Sequence, residues 1–277
     1  MPDFRGFFIN LDRNQARSAS MMRRLADVGM AARYQRIPAV DGRKLGAEYV
    51  TTLDRGNLGL WLTLERLLAA NKSSDAHLHL LEDDVLLPKD AEACFAKLLA
   101  GVDRGAPDWD LIFTDVQLNL DFATYQSIAK WREFYLQKSE LRCLSLKGMV
   151  FSGTPSIFVN RKSIDKYHRL LDGRWTEGMP IDIYLRTMIG RGSLNAYLTL
   201  PFATCLSENT IESDIRGGLD LSRKVLNLYR ASLFKDADLD HLAKELRRLT
   251  ATAKVTGLAA CYLEAMKFAL SDQWVQF

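Results

Sequence analysis

His77-Leu78-His79-Leu80-Leu81-Glu82-Asp83-Asp84 is a short run of buried-strand character that ends on consecutive carboxylates. Apolar runs of this length bounded by turn residues read as strands. In open α/β sheets the groups that meet a ligand lie just beyond the carboxyl ends of such strands. Side by side the three carboxylates repel one another, a cost that a bound divalent cation offsets. Mg²⁺ and Mn²⁺ are hard ions that take oxygen ligands and are commonly held by one or two carboxylates plus a substrate's phosphates. Glu82 and Asp84 are therefore candidate metal ligands, with Asp83 a candidate ligand-binding group. The competing reading is a solvated acidic start to a helix near Pro88, since acids favour helix N-termini.

Around this stretch, short apolar runs alternate with amphipathic segments, the pattern of βαβ units. Strands are expected at 6–11, 34–37, 77–81, 110–114 (ending on Asp115), 156–159 and 196–200. Helices are expected at 15–28, opened by turn and N-cap chemistry in 12–14, and at 58–70, 89–99, 162–171 and 183–189. The 58–70 segment is apolar nearly all round, as a helix packed under a sheet would be. Between 116 and 147 the periodicity weakens, and a long loop or lid is expected. From 219 onward the pattern is helical only, at 221–234, 239–251 and 258–270. The expected fold is α/β, a Rossmann-type mixed, mostly parallel sheet flanked by helices, over residues 1–218, with an all-helical extension over 219–277.

Composition narrows the function. With 48% hydrophobic and 26% charged residues the chain reads as an ordinary globular enzyme. A net charge of +3, with acids and bases interspersed, gives no nucleic-acid footprint. Cys94, Cys143, Cys205 and Cys261 lie far apart, which argues against a zinc knuckle or a disulfide framework. Residues 1–10 lack the apolar core of a secretory signal, and 255–270 is too short and too charged to span a bilayer. A cytoplasmic location is expected. The helical tail is a candidate surface for a homodimer or for contact with the inner membrane face.

Several blocks in order resemble glycosyltransferase family 25, which includes lipopolysaccharide sugar transferases and collagen galactosyltransferases. Phe7-Phe8-Ile9-Asn10-Leu11-Asp12-Arg13 resembles the family's "INLD" strand, Arg36-Ile37-Pro38-Ala39-Val40-Asp41-Gly42 its "R-x-x-A-V-D-G" turn, and Leu81-Glu82-Asp83-Asp84-Val85 its "LEDDV" block. Ser156-Ile157-Phe158-Val159-Asn160-Arg161-Lys162, Pro180-Ile181-Asp182 and Ser213-Asp214-Ile215 resemble its later blocks, so the likeness spans about residues 6–216. One departure stands out: Thr63-Leu64 occupies the place of the family's Ser-His pair.

The resemblance implies a GT-A-like, metal-dependent, inverting enzyme. It would move a hexose, galactose for example, from a nucleoside-diphosphate sugar such as a UDP-sugar to a glycan or lipid-linked oligosaccharide acceptor of lipopolysaccharide type. By the same resemblance Asn10, Leu11, Asp12 and Arg13 border the nucleotide, and Ala39, Val40 and Asp41 close around its base or ribose. An inverting transfer needs a base for the acceptor hydroxyl. Asp182, after Pro180, is the first candidate and Asp115 the second; the alternatives are helix capping and a structural turn acid. Asp214 is a candidate third metal ligand or a surface-turn residue before Gly217-Gly218. Asp41 also suits a plain Asp-Gly turn, and Arg13 a solvated helix start. Trp131, Tyr135 and Trp175 suit either sugar stacking or packing. Leu64 and the helical tail also admit a nucleotide-sugar-binding protein without catalysis, and the acidic triplet admits another metal-dependent phosphate enzyme such as a nucleotidyltransferase.

Overall fold

The computed structural model describes residues 3–105, 108–119, 122–207, 221–252, 260, 263, 264 and 266. Strands β1 (Phe4–Asn10) and β2 (Tyr34–Pro38) are parallel neighbours joined through helix α1 (Gln15–Asp27). α1 holds because Met21 and Leu25 fall on one face and are fully buried, and Gly29, at φ +71°, turns the chain out of the helix. Helix α2 (Arg55–Ala70) follows, capped by Asp54, whose carboxylate accepts from the Asn57 amide at 2.8 Å. It is buried at Leu58, Trp61, Leu62, Leu64, Leu67 and Leu68, so more than one of its faces meets protein.

β3 (His77–Glu82) lies parallel to β1 on the side away from β2. After the short β4 (Val85–Leu86) come helix α3 (Ala91–Gly105), β5 (Leu111–Leu118), α4 (Phe122–Gln137), β6 (Arg142–Ser145) and β7 (Phe151–Val159). Then follow α5 (Ile164–Leu171), α6 (Ile181–Gly190), β8 (Ala196–Leu200), β9 (Cys205–Leu206), α7 (Leu221–Ser232) and α8 (Leu239–Thr252). The central sheet has seven strands in the order β2-β1-β3-β7-β5-β8-β6, and β4 pairs with β9 in a separate two-stranded ribbon. β1, β2, β3, β5 and β8 point one way; β7 and β6 run against them.

Alternation along the strands builds two cores. Phe7, Ile9, Leu78 and Leu80 pack on the face covered by α2, α5 and α6, while Phe8 and Leu81 pack on the face covered by α1 and α3. Val225, Leu226 and Tyr229 of α7, with Leu233 just after it, join the first core. Each such fully buried large side chain contributes about 1.5–3 kcal/mol of transfer free energy.

β7 lies antiparallel between β3 and β5, in keeping with the mixed, mostly parallel sheet expected. Three local expectations are corrected. β5 runs past Asp115 to Leu118, so Asp115 sits inside the strand, fully buried, and not at its end. The 116–147 region is not a long loop: it holds the end of β5, helix α4 and strand β6. α4 was hard to read because its buried positions include Arg132 beside Ile128 and Ala129, while Trp131 and Phe134 are exposed, which blurs the helical pattern. Asn14 opens α1 without a side-chain cap; its carbonyl instead receives the Asn10 amide at 3.2 Å.

Candidate functional site

The register pairs Ile9 with Glu82 and Asn10 with Pro38, so the residues after β1, β2 and β3 emerge together at one sheet edge. They form a cleft lined by Asn10, Leu11 and Arg13, by Ala39, Val40 and Asp41, and by Glu82, Asp83 and Asp84. Arg17, Arg43, Arg55, Gly56 and Leu60 complete its walls. The 39–42 loop is seated on α2 by close approach. A Cβ on Gly59 would lie 2.4 Å from the Val40 carbonyl, and one on Gly42 would lie 1.7 Å from the Arg55 carbonyl. Thr63 locks the same loop: its hydroxyl accepts from the Val40 amide at 2.8 Å and donates to the Gly59 carbonyl at 2.6 Å. Across the cleft Arg13 pairs with Asp41 at 2.5 Å, and that hydrogen bond holds the Asp41 carboxyl below the usual carboxylate range.

The acidic triplet is pinned from several sides. The backbone carbonyl of Asp83 accepts from Arg24 and that of Asp84 from the Ser207 amide, each at 2.7 Å. Asn10, itself buried, donates to Asp83 Oδ2 at 2.5 Å and accepts from Arg36 at 3.0 Å. Arg17 bridges the carboxylates, bound to Asp83 Oδ1 and 3.1 Å from Asp84 Oδ2. Behind them, Arg230 of α7 pairs with Asp115 in the buried interior.

Burial, with Asp84 and Asp83 adding to it, pushes the Glu82 carboxyl up to about 8. Burial also raises Asp84 and Asp115, against the opposing pull of Arg17 on the first and Arg230 on the second. Arg17 and Arg230 are the guanidinium groups paired directly with these carboxylates, Arg17 with Asp83 and Asp84 and Arg230 with Asp115.

A divalent cation here would meet carboxylate oxygens as donors. Asp84 Oδ1 and Asp115 Oδ2 are buried carboxylate oxygens with no hydrogen-bond partner among the described residues, and an unpaired buried acceptor is costly. Among the described residues no three or more His, Cys, Asp or Glu side chains converge into a ready cage. A hard cation here would therefore draw further oxygen ligands from a bound phosphate or from water.

The remaining expected residues lie elsewhere. Asp12 is exposed, pairs with Arg36 at 2.6 Å and is not among the cleft's lining residues. Asp182 lies in the first turn of α6, where Pro180 is the cap residue; its carboxylate accepts from the Ile183 amide at 2.9 Å and from Gly153 at the start of β7 at 2.8 Å. That ties Asp182 to the antiparallel strand rather than to the cleft wall. Asp214 is outside the described residues. Leu64, in the place of the family's histidine, is buried in the core. Tyr49 packs against Trp175, and Trp131 stands exposed on α4.

Sequence reasoning passed over Arg17, Thr63 and Arg230. Arg17 lies in the first turn of α1, whereas Arg13 stands in the turn before it, so helical spacing does not join the two. Arg230 sits far from the cleft in sequence and left no signal. Compared with known proteins, the chain matches no family model and no curated protein. No described helix is long and apolar enough to cross a membrane.

Proposed function

We propose that the chain is an inverting, metal-dependent glycosyltransferase of GT-A type, related to glycosyltransferase family 25, that uses a nucleoside-diphosphate sugar. The observation that carries this reading is the convergence at one sheet edge of the Glu82-Asp83-Asp84 triplet, Arg13 and Arg17, and a separate loop, 39–42, seated on the first turns of α2. Carboxylates for a cation, guanidinium groups for phosphates and a backbone-lined loop for a base or ribose are what a nucleoside diphosphate requires together.

In this reading Asp84 and Glu82 hold Mn²⁺ or Mg²⁺, with Asp83 fixed beside them by Asn10. When bound, the cation acts as a Lewis acid on the departing diphosphate. Arg13 and Arg17 supply positive charge to the same oxygens as charge develops on them. The acceptor hydroxyl forms its bond to the anomeric carbon from the face opposite the leaving diphosphate, and its proton goes to a carboxylate. By the resemblance that carboxylate is Asp182, which stands outside the cleft lining on α6 with its orientation set by the Ile183 and Gly153 amides, so the acceptor would have to bring its hydroxyl between Asp182 and the donor. The products are the inverted glycoside and the nucleoside diphosphate. UDP as nucleotide, galactose as sugar, a lipid-linked or lipopolysaccharide-type acceptor and a cytoplasmic site at the inner membrane face belong to the same proposal.

Asp84→Asn tests it. Mn²⁺-dependent release of nucleoside diphosphate from UDP-sugars is expected to fall by about 10²-fold or more, with the thermal midpoint kept. Unchanged turnover would remove the triplet from the reaction. A second reading, a nucleotide-sugar-binding protein without transfer, is favoured by the buried Leu64. Binding of UDP with no transfer over a broad acceptor panel would select it.

A further inference from the structure

We propose that Arg17 is an internal counter-ion that yields its place on Asp83 and Asp84 to a divalent cation and turns to the phosphate of the incoming ligand, so that cation and nucleoside diphosphate bind cooperatively. This rests on the nucleotide-sugar reading above and adds to it a residue and a direction of coupling.

Four observations support it. First, Arg17 forms ion pairs with both Asp83 and Asp84, the candidate cation-binding carboxylates. Its neighbours are engaged differently: Arg13 with Asp41, Arg24 on the Asp83 carbonyl, and Arg36 on Asn10 and Asp12. Second, Arg17 has a way out and its partners do not. Its side chain is 30% exposed, against 9% for Asp83 and 11% for Asp84. Third, among the described residues Arg17 lines both the cleft and an adjoining depression bounded by Arg13, Ser20, Arg24 and Ser207. Fourth, Asp84 already presents one buried oxygen, Oδ1, without a partner; departure of Arg17 frees Asp83 Oδ1 and Asp84 Oδ2 beside it.

Electrostatics then sets the coupling. A divalent cation entering alone meets Arg17 as a competitor of like sign for the same oxygens. With a diphosphate present, the displaced guanidinium gains anionic oxygens to bind and the cation gains further ligands. Each ligand removes a cost that the other would face alone, and the coupling is reciprocal.

The test uses the full-length chain and two readouts apart from turnover. Free Mn²⁺ is followed by electron paramagnetic resonance during titration of the protein without nucleotide, and UDP binding is measured calorimetrically at saturating Mn²⁺. R17Q is expected to bind Mn²⁺ alone at least about fivefold more tightly than the parent, and UDP with Mn²⁺ at least about fivefold more weakly, the lower end of usual site-to-site coupling. A residue that merely supported the fold would weaken both. R17K, which keeps the charge without the planar fork, is expected to shift both in the same directions by less. If the parent binds UDP with Mn²⁺ and R17Q weakens both ligands or alters neither, the counter-ion role is overturned while the nucleotide reading stands. If the folded parent binds no UDP in the presence of Mn²⁺, the nucleotide reading falls and this inference falls with it.

Discussion

His79 sits fully buried in the middle of β3, stacked on Phe158 with ring centroids 3.7 Å apart. Both its nitrogens are engaged, Nδ1 with the Tyr34 hydroxyl at 2.6 Å and Nε2 with the Ser156 hydroxyl at 3.0 Å. Ser156 continues to Thr114, and Thr114 to Thr204 at 2.8 Å, so a chain of hydroxyls links strands on both sides of β7. Burial holds the His79 pKa well below its usual 6.5. The folded protein therefore keeps a neutral ring where the unfolded chain takes up a proton. Stability from this group is complete above pH 6.5 and is lost as pH falls below it, with a slope approaching ~1.4 kcal/mol per pH unit for one proton. Urea unfolding at closely spaced values between pH 5 and 8 reads that slope. His79→Phe should lower stability at pH 8 by about 1–3 kcal/mol, because Tyr34 and Ser156 lose a partner, and should flatten the slope between pH 5 and 6.5. An identical slope in parent and variant would place the proton uptake on another group.

At the scale of elements, the cleft depends on how closely the 39–42 loop lies on α2. Gly59→Ala would drive a methyl group into the Val40 carbonyl, backbone that cannot move without displacing the loop. A loss of about 1–3 kcal/mol is expected from such overpacking, together with weaker nucleotide binding. Gly101 offers the matched control: it is exposed within α3, and a Cβ there meets nothing within 4 Å. Gly101→Ala should stabilise by about 0.5–1 kcal/mol through helix propensity alone, with binding unchanged. Thermal melts and calorimetry on the two variants separate a packing effect from a generic glycine effect; equal responses would deny the loop its special seat. The same elements show what a sequence discloses. β1, β3 and β8 are legible because each holds a short apolar run bounded by turn residues, and α2 because its apolar residues surround it. The edge where the cleft forms followed from those strands and their shared direction. Only the final residues of β7, 156–159, are legible as a strand, because Ser152, Gly153, Thr154 and Pro155 before them have turn character; within the strand, the polar Ser156 is bonded across to His79 and Thr114. Polar residues satisfied by tertiary hydrogen bonds look like loop residues until their partners are known. Arg17 is not marked by the sequence, because its place between two carboxylates depends on how α1 meets β3.

Across the whole molecule, the helices after residue 220 and the sheet are joined through charge as well as through packing. Arg230 of α7, 7% exposed, reaches Asp115, fully buried in β5, and Phe202 and Phe234 form a bridge between the end of β8 and the end of α7. Arg132 of α4 donates to the Phe234 carbonyl at 2.9 Å, adding a third element to the junction. A buried pair of this kind costs desolvation on both sides, and its net worth is small, whereas an orphaned partner is expensive. Arg230→Met alone should therefore destabilise by roughly 3–5 kcal/mol, because Asp115 is left charged, or protonated without a partner, in a dry interior. Replacing both together, Asp115→Leu with Arg230→Met, removes both charges and keeps similar bulk, and should come within about 1 kcal/mol of the parent or exceed it. Denaturant unfolding of the parent, both single variants and the double variant gives the coupling directly. The double variant also addresses chemistry. If Asp115 acts only as the partner of Arg230, Mn²⁺-dependent transfer should survive in it to within about tenfold, whereas loss of a general base removes roughly 10²–10⁴-fold. A folded double variant that still binds Mn²⁺ as the parent does but has no activity would return Asp115 to the reaction as its base and would displace Asp182 from that role.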